Sequence, residues 1–427
     1  MTAETRPSPS AFPLGATEID AAAKRIADVV KPTPLQLSDR LSAITGARVY
    51  LKREDLQVVR SYKLRGAYNL LVQLSDEELG AGVVCASAGN HAQGFAYACR
   101  TLGVHGRVYV PAKTPKQKRD RILYHGGDFI ELIVGGATFE LAAEAALDDV
   151  RRTGATLVPP YDDLRTMAGQ GTIAVEVLDQ LDAEPDLVIV PVGGGGCLAG
   201  ITTYFAERTS ATSLLGVEPA GAASMMAALA EGRPVTLPVV DQFVDGAAVA
   251  RVGTLPYDTV AVAGDMVSIT AVDEGAVCSA MLDLYQNEGI IAEPAGALSV
   301  AGLLEADIEP GSTVVCLISG GNNDVSRYGE VLERSLVHLG LKHYFLVDFP
   351  QEPGALRHFL YEVLGPGDDI TLFEYVKRNN RDTGAALVGI ELSSAADLAG
   401  LLDRMGASGI RVETLHPDSP AYRYLLL

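Results

Sequence analysis

Up to about Asp324 the chain repeats one pattern: a short apolar run with no polar alternation, then a segment of helical period. Residues 83–86 precede HAQGFAYACRTLG, and 107–110 precede KQKRDRILYHGG. Residues 129–134 precede ATFELAAEAALDDVRRTG, and 187–192 precede CLAGITTYFAERT. Residues 214–218 and 313–318 are further runs of the same kind. A strand that is apolar on both sides must be covered on both sides, and parallel neighbours need a crossover between them. The pattern therefore predicts an α/β architecture, several βα units long, with a mostly parallel sheet.

After Asn323 the pattern changes. DVSRYGEVLERSLVHLG predicts an exposed linker helix over 326–340. Strand HYFLVDF, turn PQEPG, helix ALRHFLYEVL and strand ITLFEYVK follow. Turn RNNRDTG, strand AALVGIEL, helix AADLAGLLDRM and strand IRVETL complete the chain. This β-α-β-β-α-β order predicts an α+β ferredoxin-like domain over 341–427. A chain of 427 residues is too long for one ordinary core, which fits a separate domain over 1–325.

With 34 Lys+Arg against 54 Asp+Glu, the formal charge is −20. Nucleic acid or an anionic membrane would require a positive field, so neither is expected as a partner. The basic run KTPKQKRDR (113–121) reads as a solvated helix face or a subunit contact. MTAETRPSPS lacks the basic-then-apolar order of a secretory signal. The uncharged stretch 187–206 contains Pro191 and four glycines, which argues against a membrane span. The five cysteines (Cys85, Cys99, Cys197, Cys278 and Cys316) are far apart and form no CxxC or Cys/His cluster. They read as reduced core thiols of a cytoplasmic protein, with no metal and no disulfide framework.

Two segments carry chemistry. Gly193, Gly194, Gly195 and Gly196 lie between the strand LVIVPV and the helix opening near Cys197, where backbone N–H groups can close on a phosphate. The segment also fits the dinucleotide pattern Gly194-x-Gly196-x-x-Ala199, with Glu218 ending the next strand. Taken alone, it favours a nicotinamide cofactor. Lys63, in Arg60-Ser61-Tyr62-Lys63-Leu64-Arg65-Gly66-Ala67, has apolar and aromatic neighbours. Such a setting eases loss of its proton and Schiff-base formation with an aldehyde. Spacing alone leaves it a solvated lysine like most others.

SYKLRGA closely resembles the lysine motif of the threonine/serine dehydratases, pyridoxal-phosphate enzymes of the tryptophan-synthase-β-like fold (PLP fold type II). Ser87-Ala88-Gly89-Asn90-His91-Ala92-Gln93-Gly94 resembles the family's asparagine loop. Pro191 to Gly196 resembles its phosphate loop, and Ser319-Gly320-Gly321-Asn322 its terminal serine motif. The motifs occur in family order, and the resemblance spans nearly the whole chain. The tail, with Phe349-Pro350 and Pro353-Gly354-Ala355-Leu356, resembles the family's ACT-like regulatory domain. Some relatives carry two such domains; this chain has one.

The resemblance implies a two-lobed catalytic domain, with a small lobe near 53–153 and a large lobe of 1–52 and 154–325. It implies that Lys63 holds pyridoxal 5'-phosphate and later removes the Cα proton. Asn90 would bond the ring hydroxyl, and Gly193, Gly194, Gly195, Gly196 and the Cys197 backbone would cradle the phosphate. Ser319 would face the pyridine nitrogen, and a neutral hydroxyl there suits rapid β-elimination. Ser87, Ala88, Gly89, Asn90 and His91 would seat the substrate carboxylate, with His91 in a positional role. Glu293 is open between a cofactor-side contact and a loop-shaping role.

Two departures matter. Related serine racemases have a serine where this chain has Ala88, which cannot move a proton, so dehydration without racemisation is expected. Their metal site uses two acids and a carbonyl. Glu218 and Ala222 match, but Ser224 replaces the second acid, and no metal is expected.

The activity implied is dehydration and deamination of L-threonine to 2-oxobutanoate and ammonia, the first step of isoleucine biosynthesis. By the same resemblance the enzyme is a homotetramer inhibited by isoleucine, bound near Pro353, Gly354, Ala355 and Leu356. The alternatives are a serine-preferring or catabolic dehydratase, an NAD-dependent dehydrogenase with an amino-acid-sensing tail, and a non-catalytic sensor.

Overall fold

The computed structural model describes residues 11–375, 382–416, 419 and 422. The MTAETRPSPS segment and most of the RNNRDTG turn lie outside the described residues. The chain divides into two compact units, Met1–Asp324 and Val325–Leu427. The strands of the first are β1 (Leu35–Leu37), β2 (Arg48–Arg53), β3 (Val83–Ala86), β4 (Gly106–Val110) and β5 (Ile130–Val134). They continue with β6 (Thr156–Leu157), β7 (Leu187–Pro191), β8 (Ser213–Pro219), β9 (Val267–Val272) and β10 (Thr313–Ile318).

Two sheets form from them. The larger has the order β1-β2-β10-β7-β8-β9, parallel except for β1, which runs antiparallel to β2. The smaller, β5-β4-β3-β6, is parallel throughout. Each of the six apolar runs forms a strand, as the covered faces require. Val314, Cys316 and Ile318, for example, are fully buried along β10. One boundary shifts: Phe129 belongs to the turn Gly127–Phe129, and β5 begins at Ile130.

β1, β2, β6 and β9 did not announce themselves in the sequence. β2 reads RVYLKR, half of it charged, yet Lys52 within it is fully enclosed. β9 is an edge strand with mixed burial, and β6 is two residues long.

This topology sets the functional loops. β2, β10 and β7 are parallel neighbours, so the segments leaving them emerge at the same sheet edge. Those segments carry Lys63, Ser319 and the tetraglycine. In open α/β sheets, ligands bind beyond the carboxyl ends of strands. The Ser87–Gly89 turn leaves β3 of the smaller sheet in the same manner.

The second unit opens with the helix Tyr328–His338. It is not wholly exposed as expected, because Val331 and Ser335 turn inward. The strands β11 (Lys342–Pro350), β12 (Asp369–Tyr375), β13 (Thr383–Glu391) and β14 (Arg411–Leu415) follow. They form an antiparallel sheet in the order β12-β13-β11-β14. With helices Ala355–Glu362 and Asp397–Ala407, this is the ferredoxin-like order read from the sequence. Its core joins Phe345, Val347, Phe349, Phe359, Val388 and Leu401. Among the described residues, no helix is long and apolar enough to cross a membrane, and all five cysteines are buried and outside any disulfide.

Candidate active site

Lys63 is the first residue of the helix Lys63–Leu71. Its Nζ donates to the Pro160 carbonyl at 3.0 Å and lies 5.1 Å from the centre of the Tyr62 ring. Burial pulls the amine down to about 8, an effect that the neighbouring Cys197 and Glu293 partly offset. A lysine in this range is uncharged for part of the time near neutral pH. Three residues earlier, Arg60 adopts a left-handed backbone (φ 56°), a conformation that side chains other than glycine rarely hold. Its carbonyl accepts from Gly321 N at 2.9 Å, and Ser61 pairs with Gly320, so the lysine and serine segments are tied by backbone.

Lys63, Asn90, Gly193, Glu293 and Ser319 line one small cleft, together with Tyr62, Pro191, Gly246, Ala247 and Ala295. Segments separated by hundreds of residues thus converge. Asn90 Nδ2 donates to Glu293 Oε1 at 2.5 Å, and Asn322 Nδ2 donates to Asn90 Oδ1 at 2.8 Å. Burial, aided by the Asp245 charge, pushes the Glu293 carboxyl up to about 7. Ser319 Oγ donates to the Ala295 carbonyl at 3.1 Å.

The glycine loop requires glycine for steric reasons. A Cβ on Gly194 would fall 2.2 Å from the Tyr161 ring, and Gly195 has φ 87° at the start of helix Gly196–Arg208. The first amides of that helix, Cys197 included, have no partner within it and carry the positive end of its dipole. Cys197 itself is buried, and burial raises its thiol to about 12, so it contributes through its backbone rather than as a nucleophile.

In the asparagine loop, Gly89 N donates to Ser87 Oγ at 3.3 Å, and Asn90 opens the helix Asn90–Leu102. Ala88 is partly buried against the smaller core. His91 is enclosed, with Nε2 2.8 Å from the Val158 carbonyl. Burial and the Lys63 charge hold its imidazole down to about 3, so it stays neutral and is not poised as a base.

The residues fit a cofactor carrying an aldehyde and a phosphate. An amine with a lowered pKa stands beside a glycine-built anion cradle. Ser61 Oγ, two residues before Lys63, is buried with no hydrogen-bond partner among the described residues. Glu218 is otherwise employed: its Oε1 and Oε2 accept from Met225 N at 2.7 Å and Met226 N at 2.9 Å. It is buried and committed to the start of the next helix, which removes the ribose-binding acid from the dinucleotide reading.

Sequence reasoning did not find the segment 158–163. Its carbonyls at Val158, Pro159 and Pro160 serve His91, Thr166 and Lys63. Its Asp162 caps the helix Thr254–Ala263 through Thr254 N and Leu255 N. The available signal was PPYDD, two stiff prolines ahead of an aromatic and two capping acids.

In the second unit, Gly354, Ala355 and Leu356 line a separate cleft of about 710 Å³, with Phe349, Phe373 and Tyr375 among its walls. Pro353 precedes them in the chain and does not line it.

Residues 26–320 match the model of the family described as pyridoxal-phosphate dependent enzyme. Residues 333–425 match the C-terminal regulatory domain of threonine dehydratase. The chain is 83% identical, over 429 aligned positions and 100% of both chains, to the L-threonine dehydratase biosynthetic IlvA of Mycobacterium tuberculosis. It is 62% identical to the protein of that name from Corynebacterium glutamicum, covering 96% of this chain and 95% of the other. Among solved structures, it is similar to the processed form of threonine deaminase isoform 2 from Solanum lycopersicum. That match has a TM-score of 0.70 and 38% identity, over 78% of this chain and 96% of the other.

Proposed function

Because the chain belongs to the family of pyridoxal-phosphate dependent enzymes, we propose that it converts L-threonine to 2-oxobutanoate and ammonia, with Lys63 as the catalytic amine. This is the first step of isoleucine biosynthesis. The observation that carries the reading is the end-to-end likeness to a biosynthetic L-threonine dehydratase, joined to a cleft that Lys63, Asn90, Gly193 and Ser319 line together. Bound pyridoxal phosphate supplies an aldehyde that takes up amines and a ring that draws electrons from Cα.

The chain's own residues do the rest. Gly193, Gly194, Gly195, Gly196 and the Cys197 amide hold the phosphate through N–H groups at the helix start. Asn90, fixed by Glu293 and Asn322, keeps one amide hydrogen for the ring hydroxyl. Ser319 would face the ring nitrogen with a neutral hydroxyl, its one proton turning there from the Ala295 carbonyl. Lys63 Nζ, oriented by the Pro160 carbonyl, takes the Cα proton in its uncharged form. Ser87, Gly89 and the amides opening the Asn90–Leu102 helix hold the substrate carboxylate, with Ala88 and His91 shaping that loop. Ala88 has no proton to move, so proton transfer stays on the Lys63 side, and L-serine should give no D-serine.

Residues 1–325 act as the catalytic domain, 326–340 as the linker and 341–427 as the regulatory domain. Isoleucine binds the cleft of the second unit and lowers turnover through a coupling free energy between two sites. The assembly is a homotetramer in the cytoplasm. Buried cysteines outside any disulfide support the cytoplasmic setting.

Lys63→Ala should lose both the violet absorbance band and threonine turnover; retention of either refutes the assignment. Isoleucine should change the threonine saturation curve, and an unchanged curve refutes the regulatory part. A kcat/KM for serine above that for threonine would move the enzyme to the serine-preferring class.

A further inference from the structure

Two residues beyond Lys63, Arg65 is wholly enclosed. Its Nε and Nη2 donate to the two oxygens of Glu54 at 2.8 and 2.7 Å. Its Nη1 donates to Glu176 Oε1 at 2.6 Å and Thr172 Oγ1 at 3.0 Å. Lys52 Nζ donates to the other Glu176 oxygen at 2.6 Å, to the Thr33 carbonyl at 2.8 Å and to Gln180 Oε1 at 2.9 Å. Thr33 Oγ1 closes the cluster on Glu54 Oε1 at 2.6 Å. Two cations meet two carboxylates, and the cluster joins β2, the Lys63–Leu71 helix, the Leu164–Gln180 helix and the segment before β1.

Burying four charges is a poor route to stability, because apolar residues of similar volume often do as well or better. The distinctive property of this cluster is geometric. A guanidinium fork on a carboxylate sets orientation as well as distance. The helix it grips starts at Lys63 and has no side-chain cap; Tyr62, in the cap position, is already helical. What holds the start of that helix is contact further in. Gly66 N donates to Gln170 Oε1 at 3.2 Å, and Gly94 packs so closely that a Cβ there would lie 3.0 Å from the Lys63 carbonyl carbon. Arg65 is the charged member of that set. The low pKa of Lys63 traces to burial, opposed by Cys197 and Glu293, and not to this cluster.

We propose that the Arg65–Glu54–Glu176 cluster is a positioning device for Lys63, fixing where its Nζ stands without setting its protonation. The proposal rests on Lys63 being the catalytic amine. The test compares the parent, Arg65→Lys and Thr172→Val as holoenzymes, with turnover divided by cofactor content measured after denaturation. Arg65→Lys keeps the charge and loses the fork; Thr172→Val removes one acceptor of Nη1.

For Arg65→Lys, kcat per bound cofactor should fall about 10- to 100-fold, the cost of a small misplacement of a reacting group. The KM for threonine should shift less than about threefold, and the pH midpoint of kcat should stay in place. Borohydride fixation of the cofactor onto Lys63, followed by peptide mapping, should slow in parallel. Thr172→Val should show the same pattern more weakly, and it decides the matter if Arg65→Lys does not fold. A parent-like kcat per bound cofactor in the folded variant overturns the proposal. So does a shifted pH midpoint in place of a rate loss, because the cluster would then act through charge. Turnover by Lys63→Ala would instead sink the functional reading itself, so the two failures are distinguishable.

Discussion

Asn90 Nδ2 and Glu293 Oε1 meet at 2.5 Å across 203 residues of sequence. The contact joins the turn after β3 to the start of the helix Pro294–Glu305, and Asn322 adds the turn after β10 through its bond to Asn90 Oδ1. Both ends of the Asn90 amide are thereby oriented. A side chain held at both ends presents its remaining N–H in one direction, which is what a cofactor contact requires.

The Glu293 carboxyl also has a pH consequence, which the Asn90 bond opposes rather than causes. Burial and Asp245 raise the Glu293 carboxyl from 4.5 to about 7. A carboxyl whose folded pKa lies above its unfolded one adds stability that is fully present below the unfolded value. That contribution is lost as pH rises through the folded value. Between pH 5 and pH 8 the parent should therefore lose up to about 3 kcal/mol that Glu293→Gln does not lose. Urea unfolding of both proteins at the two pH values measures the difference. Parallel pH dependence would show that Glu293 is not the titrating group.

Gly194 makes a steric prediction. Its Cβ would stand 2.2 Å from the Tyr161 ring, a distance no real contact sustains. Gly194→Ala should destabilise the protein by about 1–3 kcal/mol and weaken cofactor retention. Removing the ring with Tyr161→Ala should recover part of that loss in the double variant. The coupling appears as non-additive unfolding free energies. Additive losses would mean that the clash is not the cause.

The parts of this fold that could be read in advance are those in which neighbouring residues share one environment. The run from 313 to 318 is apolar because both faces of β10 are covered, and that leaves a local signature. Residue-type motifs such as Ser319-Gly320-Gly321-Asn322 are likewise local. What could not be read depends on contacts distant in sequence. Lys52 sits inside a strand only because Glu176 and Gln180, on a helix more than a hundred residues later, accept its hydrogen bonds. The Pro160 carbonyl that orients Lys63 is a main-chain atom, and main-chain atoms carry no residue signature. In sequence Glu293 stays open between two roles because its partner Asn90 lies on the turn after a different strand.

The cleft of the second unit supplies the last prediction. Its floor is aromatic: Phe349 packs edge-on against Phe359, Phe373 and Tyr375, with ring centres 5.1, 5.7 and 5.9 Å away. Leu356 lines the cleft and is 43% exposed, so a branched aliphatic side chain entering there would cover apolar surface that water now touches. Glu352, Gln351 and Arg357 at the same cleft offer groups for an ammonium and a carboxylate. Burying such a side chain contributes about 1.5–3 kcal/mol, so a charge set against it should weaken binding by about tenfold or more. Leu356→Asp in the full chain should therefore raise the calorimetric Kd for isoleucine by at least that factor. Leucine-to-methionine at the same position, which keeps volume and polarity, should leave it near the parent value. If Leu356→Asp binds isoleucine as the parent does, the effector does not use this cleft, because no apolar ligand seated against Leu356 could ignore a carboxylate there.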